Sequence, residues 1–502
     1  MLNYYLEKNI QNKLKLLNIL HLNKSIAIND LRSLFPLSLS SINFLVDELN
    51  IGFTGLATIE KNRGRLSITI CEGVKQLDLL YSIYQDSNIL QCLKYMILND
   101  ENHSLVPFME EQHITKSTAY RVRKNCSDYL SCIGLNINGN HIIGEEYRIR
   151  FLIALLQYKY GIECYDINEE DITLARHFIM STNSTIDPTY LESTINEYGN
   201  FENLLILSWK RKNYSNSPII SSQLERLKKI FVYQKLINAV KTQLEPKLTF
   251  KFTPNDYDYL FLIYCSTNNV LFAEQWTPQH INHLHQIIFS DNKYSDLLQR
   301  IKNKFGKEVA NSSAFKTFLI YFAKKALLEL QCIIPDKNVY INSKQSRSTQ
   351  IVYQHLSNVF SEWRKDHDIK YEMDAEHLFY LSLQIELILK QFLKPVSIIV
   401  VSELTSELKI TSLYLERCFS SQKVAIKSIQ LDATNKNYLY SQKNSIIIIN
   451  EKFRYLVEKS NLSKNNIIIP ITVELNNKEL LLIHQAILHY ENEMFLNLIN
   501  HI

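Results

Sequence analysis

Lys116, Ser117, Tyr120, Arg121, Arg123 and Lys124 are the side chains of this chain best suited to a polyanion. The stretch 116–124 carries four basic residues and no acid. Arginine forks onto a guanine edge or a phosphate, and Ser and Tyr hydroxyls suit phosphate or base-edge hydrogen bonds. On a 100° wheel Ser117, Arg121 and Lys124 centre on one face, flanked by Tyr120 and Lys116. Arg123 falls nearer the opposite face, where a backbone contact or a structural role suits it. Close behind come Glu145, Glu146, Arg148 and Arg150. Their spacing fits intrahelical ion pairs or a joint to the next helix. No nucleophile or metal ligand accompanies them, so the structural reading is favoured over acid–base chemistry.

The elements needed to position such a face are legible around it. Thr115 is placed to cap a helix whose apolar side is Ala119, Val122, Cys126, Leu130 and Ile133. Val74–Leu98 reads as one helix before it, and Leu105–Glu111 as a short one. A hairpin over Leu135–Ile143 follows, turning at Asn138-Gly139-Asn140. Residues 10–71 repeat the plan. A helix through Leu14, Leu17, Ile19 and Leu20 precedes a short one at Ile28–Phe35. A third, capped by Ser38 or Ser40, buries Ile42, Leu45, Val46 and Leu49. A hairpin then joins Leu56–Glu60 to Leu66–Cys71. Three helices and a hairpin make a winged helix-turn-helix, a reader of duplex DNA. The third helix of the first copy exposes Ser40, Ser41, Asn43, Asp47 and Glu48, a poor face for phosphate. Its hairpin carries Lys61, Arg63 and Arg65, suited to backbone or minor-groove contact. The second copy should therefore dominate binding.

Residues 161–290 and 291–393 read as helical bundles. A weak internal repeat relates Asp256–Tyr264 to Asp374–Ser382 at a constant offset. Beyond Pro395 the period changes. Val396–Ser402, Val424–Leu431, Ser445–Asn450 and Asn466–Ile471 are continuous apolar runs. Helices fall at Leu408–Ser421, Glu451–Lys459 and Asn477–Asn497, so a small parallel sheet covered on both faces is expected.

Composition agrees with a mainly α, multidomain chain. Its 502 residues suit three to five domains. Glycine, at 10 residues, is far below the usual ~7%. No apolar run reaches the ~18 residues of a membrane span, and no signal peptide is expected at the N-terminus. Eight dispersed cysteines without a Cys-x-x-Cys pair suggest thiols in a reducing cytoplasm. A net charge of +4 is modest, so basic residues must act through local arrangement. His280, His283 and His285 lack the spacing of a helical metal pair, and no metal or other cofactor is expected.

The order of these parts resembles the Mga/AtxA group of virulence regulators of Gram-positive bacteria. The resemblance spans essentially the whole chain. It is carried by Gly144-Glu145-Glu146-Tyr147-Arg148-Ile149-Arg150, by Asn255–Tyr264, and by Gln275-Trp276-Thr277-Pro278 with His280 and Ile281. It implies five domains: an N-terminal winged helix (1–72), an Mga-type winged helix-turn-helix (73–160), two phosphotransferase-system regulation domains, or PRDs (161–290 and 291–393), and an enzyme IIB-like α/β domain (394–502). It implies a DNA-binding transcriptional regulator rather than an enzyme, an activator of virulence or carbohydrate-linked genes, cytoplasmic and homodimeric. It also implies modulation by histidine phosphorylation from phosphotransferase-system phosphocarriers. His377, His177 and His280 are the candidate acceptors, with His355 and His367 further ones. His377 is expected near the start of a helix opened by Asp374, whose amides suit a phosphate, although Glu376 opposes it. One departure stands out. Enzyme IIB domains of transporters carry a phosphorylated cysteine after their first strand; here that stretch is Val400-Val401-Ser402-Glu403-Leu404-Thr405-Ser406, and Cys418 lies in the next helix. A dimerisation role therefore suits the domain better than phosphotransfer. Two rivals remain: an RNA-binding antiterminator built on PRDs, and a phosphotransfer protein.

Overall fold

The computed structural model describes residues 2–35, 37–99, 104–183, 197–214, 221–267, 271–334, 346–373, 375–431, 435–454, 461–464, 466–472 and 475–500. The chain divides into two compact units, one formed by Met1–Leu297, Lys316–Gln345 and Phe360–Phe379, the other by Leu298–Phe315, Ser346–Val359 and Tyr380–Ile502.

The first unit opens with α1 (Lys8–Asn23), β1 (Ser25–Ala27), α2 (Ile28–Leu34), α3 (Leu39–Gly52), β2 (Ala57–Asn62) and β3 (Arg65–Ile70). Leu16, Leu17, Leu20, Leu31, Ile42, Leu49 and Phe53 close one core. Of the two serines offered as the α3 cap, Ser38 serves, accepting from Ser41 N at 3.1 Å. The hairpin is tighter than expected. Its strands pair through Asn62↔Arg65, leaving Arg63 and Gly64 as a two-residue turn with φ of 47° and 74°. Positive φ at both central positions matches the right-handed strand twist. β1 adds a third strand to give the order β1-β3-β2; its three residues are too short for a periodic signal.

Next come α4 (Gln76–Gln85), α5 (Asn88–Leu98), α6 (Val106–Glu111), α7 (Lys116–Cys132), β4 (Asn136–Asn138), β5 (His141–Ile143) and α8 (Glu146–Tyr160). Two helices thus replace the single one expected over Val74–Leu98. Ser87 Oγ accepts from Leu90 N at 3.3 Å, and Glu7 Oε1 accepts from Ile89 N at 3.0 Å. A carboxylate at a helix N-terminus satisfies amides that a continuous helix would have bonded internally. Thr115 caps α7 as expected, and the β4–β5 turn falls on Gly139 and Asn140, with Gly139 at φ 59°.

The rest of this unit is helical: α9 (Glu169–Thr182), α10 (Glu197–Lys210), α11 (Ser222–Leu227), α12 (Val232–Ala239), α13 (Pro254–Ser266) and α14 (Pro278–Phe289). Thr253 and Asp256 form a reciprocal capping box at the start of α13. Further along lie α15 (Asn292–Phe305), α16 (Lys307–Asn311), α17 (Ser313–Leu327), α18 (Arg347–Asp366) and α19 (Ala375–Gln391). Asp374, expected to open the helix of His377, lies outside the described residues.

The second unit holds β6 (Val396–Ser402), α20 (Thr405–Cys418), β7 (Val424–Gln430), α21 (Asn435–Tyr440), β8 (Ser445–Asn450), β9 (Ile467–Ile471) and α22 (Asn477–Asn500). The four strands form one parallel sheet in the order β7-β6-β8-β9. Alternate residues feed two cores, as a doubly covered sheet requires. Ile398, Ile446 and Ile448 pack with Leu415 and Ile483 on one face; Ile399, Ile447 and Ile449 pack with Leu439 and Leu462 on the other. Pro470 sits on the edge strand β9, where a missing donor is tolerated. Of the helix expected over Glu451–Lys459, Glu451–Phe453 is a single 3-10 turn, and 455–460 lie outside the described residues. Among the described residues, no helix is long and apolar enough to cross a membrane.

Candidate nucleic-acid interface

α7 presents its basic face to solvent. Lys116, Ser117, Tyr120, Arg121 and Lys124 are all exposed, Tyr120 by 54%. Ala119, Val122, Cys126, Tyr129 and Leu130 are buried beneath them. Burial pushes the Cys126 thiol pKa well up, so it behaves as packing rather than as a nucleophile. Arg123 turns elsewhere. Its Nη2 donates to Gly139 O at 2.6 Å and its Nε to Asn140 Oδ1 at 3.2 Å. It ties the β4–β5 turn to α7, which is the structural role that its wheel position suggested.

The first hairpin also exposes its basic residues. Arg63 stands at the tip, Lys61 Nζ donates to Asn43 Oδ1 at 3.2 Å, and Arg65 Nε donates to Ser25 Oγ at 3.0 Å. On α3, Ser40 and Asp47 are exposed, while Ser41, Asn43 and Glu48 are half-buried. Glu48 is occupied by Asn9 at 2.8 Å and Lys13 at 3.6 Å.

Behind the β4–β5 hairpin the acid–base run forms a buried ion network. Glu146 Oε1 accepts from Arg150 Nε at 2.9 Å and from Arg211 Nε at 2.7 Å. Glu146 Oε2 accepts from Arg211 Nη2 at 2.9 Å. Arg150 lies over the Tyr259 ring at 4.7 Å, and Arg211 over Tyr214 at 3.8 Å. Burial works against the Arg211 charge, but the Glu146 carboxylate outweighs it and raises the pKa further. Arg148 separately donates from Nη1 to Ile133 O and Glu329 O, each at 3.1 Å. The ionic joint expected from 145–150 is present, but sequence reasoning missed Arg211. It lies one residue past α10 and belongs to no apolar period; its only signal was an unexplained basic run, Lys210-Arg211-Lys212.

The histidines separate sharply. His377 is 5% exposed, whereas phosphoryl acceptance needs an accessible ring nitrogen. Its helix is apolar on most sides, with Leu378, Leu381, Ile385 and Ile388 also buried. Burial first, then Lys325 and Lys159, hold the His377 pKa well below the usual 6.5. Below pH 6.5 the unfolded chain takes up a proton that the folded chain refuses, so acidification destabilises the fold. Stability should fall by up to ~1.4 kcal/mol per pH unit from this group as pH drops below ~6.5. His285 and His355 are lowered in the same direction, each by burial and then by a lysine, and add to the slope. Urea midpoints measured from pH 7.5 to 5 should therefore drop less steeply for His377→Gln than for wild type; equal slopes would refute the assignment.

His177 is exposed, with Lys247 Nζ 3.3 Å from its Nδ1. His280 is half-buried, stacked on Phe231 at 4.3 Å, with Nδ1 3.1 Å from Gln275 O. His283 is exposed, and His367 Nε2 lies 2.9 Å from Asp296 Oδ2. At the first strand-to-helix turn of the C-terminal sheet, Ser402 Oγ donates to Glu407 and accepts from Leu404 N at 3.3 Å. Cys418 is the last residue of α20 and is exposed.

Comparison with known proteins places these parts in a family. The Mga helix-turn-helix domain matches residues 72–157, which contain α4 to α7 and the β4–β5 hairpin. The PRD domain of the M protein trans-acting positive regulator (MGA) matches residues 171–387. No curated protein matches the chain. The two matched domains cover more than half of the chain, in the order that its architecture requires, and the protein belongs to the Mga-like, PRD-containing transcriptional regulators.

Proposed function

We propose that α7 is the recognition helix of a winged helix-turn-helix. Lys116, Ser117, Tyr120, Arg121 and Lys124 face the major groove, and the β4–β5 hairpin is the wing. The observation that carries this reading is the exposed basic face of residues 116–124, with four basic side chains and no acid, within the matched helix-turn-helix domain. Residues 1–72 act as an accessory winged helix, with Lys61, Arg63 and Arg65 against the backbone, and Arg123 contributes by fixing the wing. The five-domain division, cytoplasmic location and activation of virulence or carbohydrate-linked genes belong to the same reading. The full chain should bind duplex DNA with an affinity that falls steeply with salt, because neutralised phosphates release counterions. Titration of duplex DNA and of hairpin RNA at two salt concentrations tests this. Preference for the hairpin RNA, or no duplex binding at low salt, would overturn it.

Regulation in this reading runs through histidine phosphorylation of the PRD segment by phosphocarriers. His177 meets the accessibility requirement, and Lys247 beside it would offset the phosphate charge. Residues 394–502 are an enzyme IIB-like module that assembles the dimer rather than transferring phosphate, since Ser402 ends the first strand where a cysteine would be needed. On α20, Ile410, Leu413 and Tyr414 are exposed by 66%, 57% and 42% at helical spacing. Such a stripe on a sheet-covering helix fits burial against a second copy. Ile410→Glu with Leu413→Glu places like charges across that interface and should weaken self-association by roughly 100-fold or more. Sedimentation of the two proteins over a concentration series reads the effect; an unaltered dimer would remove α20 from the interface.

A further inference from the structure

The two winged helices differ most on the face where a reading helix would meet DNA. α3 is capped by Ser38 and α7 by Thr115, and each cap accepts from the backbone N–H three residues on. Counted from these caps, Ser40 takes the place of Ser117, Phe44 that of Arg121 and Asp47 that of Lys124. The first copy thus carries an aromatic ring and a carboxylate where the second carries cations, and the face is open. Ser40, Phe44, Asp47 and Ile51 form one stripe at helical spacing. Phe44 is 59% exposed and Ile51 77%.

The two margins of the stripe carry opposite signs. On the hairpin side Lys61 Nζ donates to Asn43 Oδ1 at 3.2 Å. On the other side Glu48 meets α1 and the end of α4. There the buried Lys13 Nζ lies 3.6 Å from Glu48 Oε2 and 2.9 Å from Asp86 Oδ2. One ammonium answers two carboxylates, so this margin keeps a negative charge in excess. Asp47 adds a second; it is exposed and has no ion-pair partner among the described residues. An acid margin repels a phosphate backbone, whereas exposed large apolar side chains suit burial against protein. A second copy is a poor occupant. An antiparallel self-contact that buries Phe44 and Ile51 together centres on Asp47 and Glu48, and so sets like charges against each other.

We propose that this face of α3 docks RNA polymerase, through an apolar patch edged by lysine or arginine on the enzyme. The polymerase is the protein on which a transcriptional regulator acts, and its promoter-facing surfaces must be basic to hold DNA. Phe44 and Ile51 enter the apolar patch, and Asp47, Glu48 and Asp86 face its basic edge. The hairpin with Lys61, Arg63 and Arg65 remains available to the DNA backbone. One winged helix then touches both the duplex and the enzyme standing on it. That placement rests on the reading of the chain as a DNA-bound regulator; the contact itself does not.

The test uses the full chain and RNA polymerase holoenzyme of the same organism, without DNA. Fluorescently labelled chain is titrated with holoenzyme, and anisotropy is read at two salt concentrations. Binding should saturate and should weaken with salt. Phe44→Ser with Ile51→Ser should weaken it by roughly 10-fold or more, as loss of buried apolar anchors does. Asp47→Lys keeps those anchors and should weaken it by roughly 3- to 10-fold, with a shallower salt dependence. The double variant changes only exposed side chains, so it should keep the wild-type melting temperature and duplex affinity. Three results would overturn the site. They are no saturable binding of holoenzyme, unaltered affinity in the double variant or in Asp47→Lys, and a loss of duplex binding or of self-association in the double variant. The last would give the face to DNA or to a second copy. Failure of α7 to bind duplex would leave the anisotropy readings untouched, so the two readings fail separately.

Discussion

Glu146→Ala should destabilise the first unit by about 3–5 kcal/mol, the cost of breaking a buried ion pair from one side. The carboxylate accepts from Arg150 at 2.9 Å and from Arg211 at 2.7 and 2.9 Å. Both arginines are buried, and each also lies over a tyrosine ring. Removing the carboxylate leaves two guanidiniums in a water-poor site with only ring faces and a few carbonyl or hydroxyl acceptors. The fold relieves this by admitting water or by letting α8 and the end of α10 separate. Replacing all three residues by apolar ones of similar size should recover most of the loss, because the net value of a buried network against packed hydrocarbon is small. The loss should appear as a lower urea midpoint, together with faster hydrogen exchange in α8. A shift below about 1 kcal/mol would mean that water already reaches the network and that the joint is soft.

The difference between what was and was not legible in the sequence follows from the range of the interactions. α7 was legible because its apolar stripe, its Thr115 cap and its basic face are all local. The C-terminal sheet was legible because Ile446–Ile449 and its neighbours form continuous apolar runs, which only a strand buried on both faces requires. The break between α4 and α5 was not, since the apolar stripe continues through it and the carboxylate that caps α5 comes from Glu7, far back in the chain. Arg211 was missed for the same reason: its partner Glu146 is 65 positions away. The burial of His377 was not legible because a helix buried on most sides leaves no amphipathic signal to say which residues face water. The candidate DNA face was therefore readable residue by residue, whereas the groups that hold it to the rest of the chain were not.

Arg121→Ala with Lys124→Ala should weaken duplex binding by about 2–4 kcal/mol, or roughly 30- to 1,000-fold, on the usual worth of one base-edge arginine and one phosphate contact. The two residues lie on the exposed face of α7 with Ser117 between and Tyr120 beside them. Neither is engaged in an ion pair among the described residues, so their loss should not disturb the fold, and an unaltered melting temperature is part of the expectation. The single variants should differ in kind. Lys124→Ala removes a point charge and should lower the log–log salt slope by about 1 with little change in sequence preference. Arg121→Ala should flatten the preference among duplexes, if its fork reads a guanine. Arg123→Ala is the informative control. Its guanidinium holds Gly139 and Asn140 rather than facing solvent. It should therefore act through the hairpin, with faster hydrogen exchange over residues 136–143 and a DNA loss that keeps the salt slope nearly constant. If the double variant binds duplex as tightly as wild type, α7 is not the reading helix. The basic tip formed by Lys61, Arg63 and Arg65 would then be the next surface to remove.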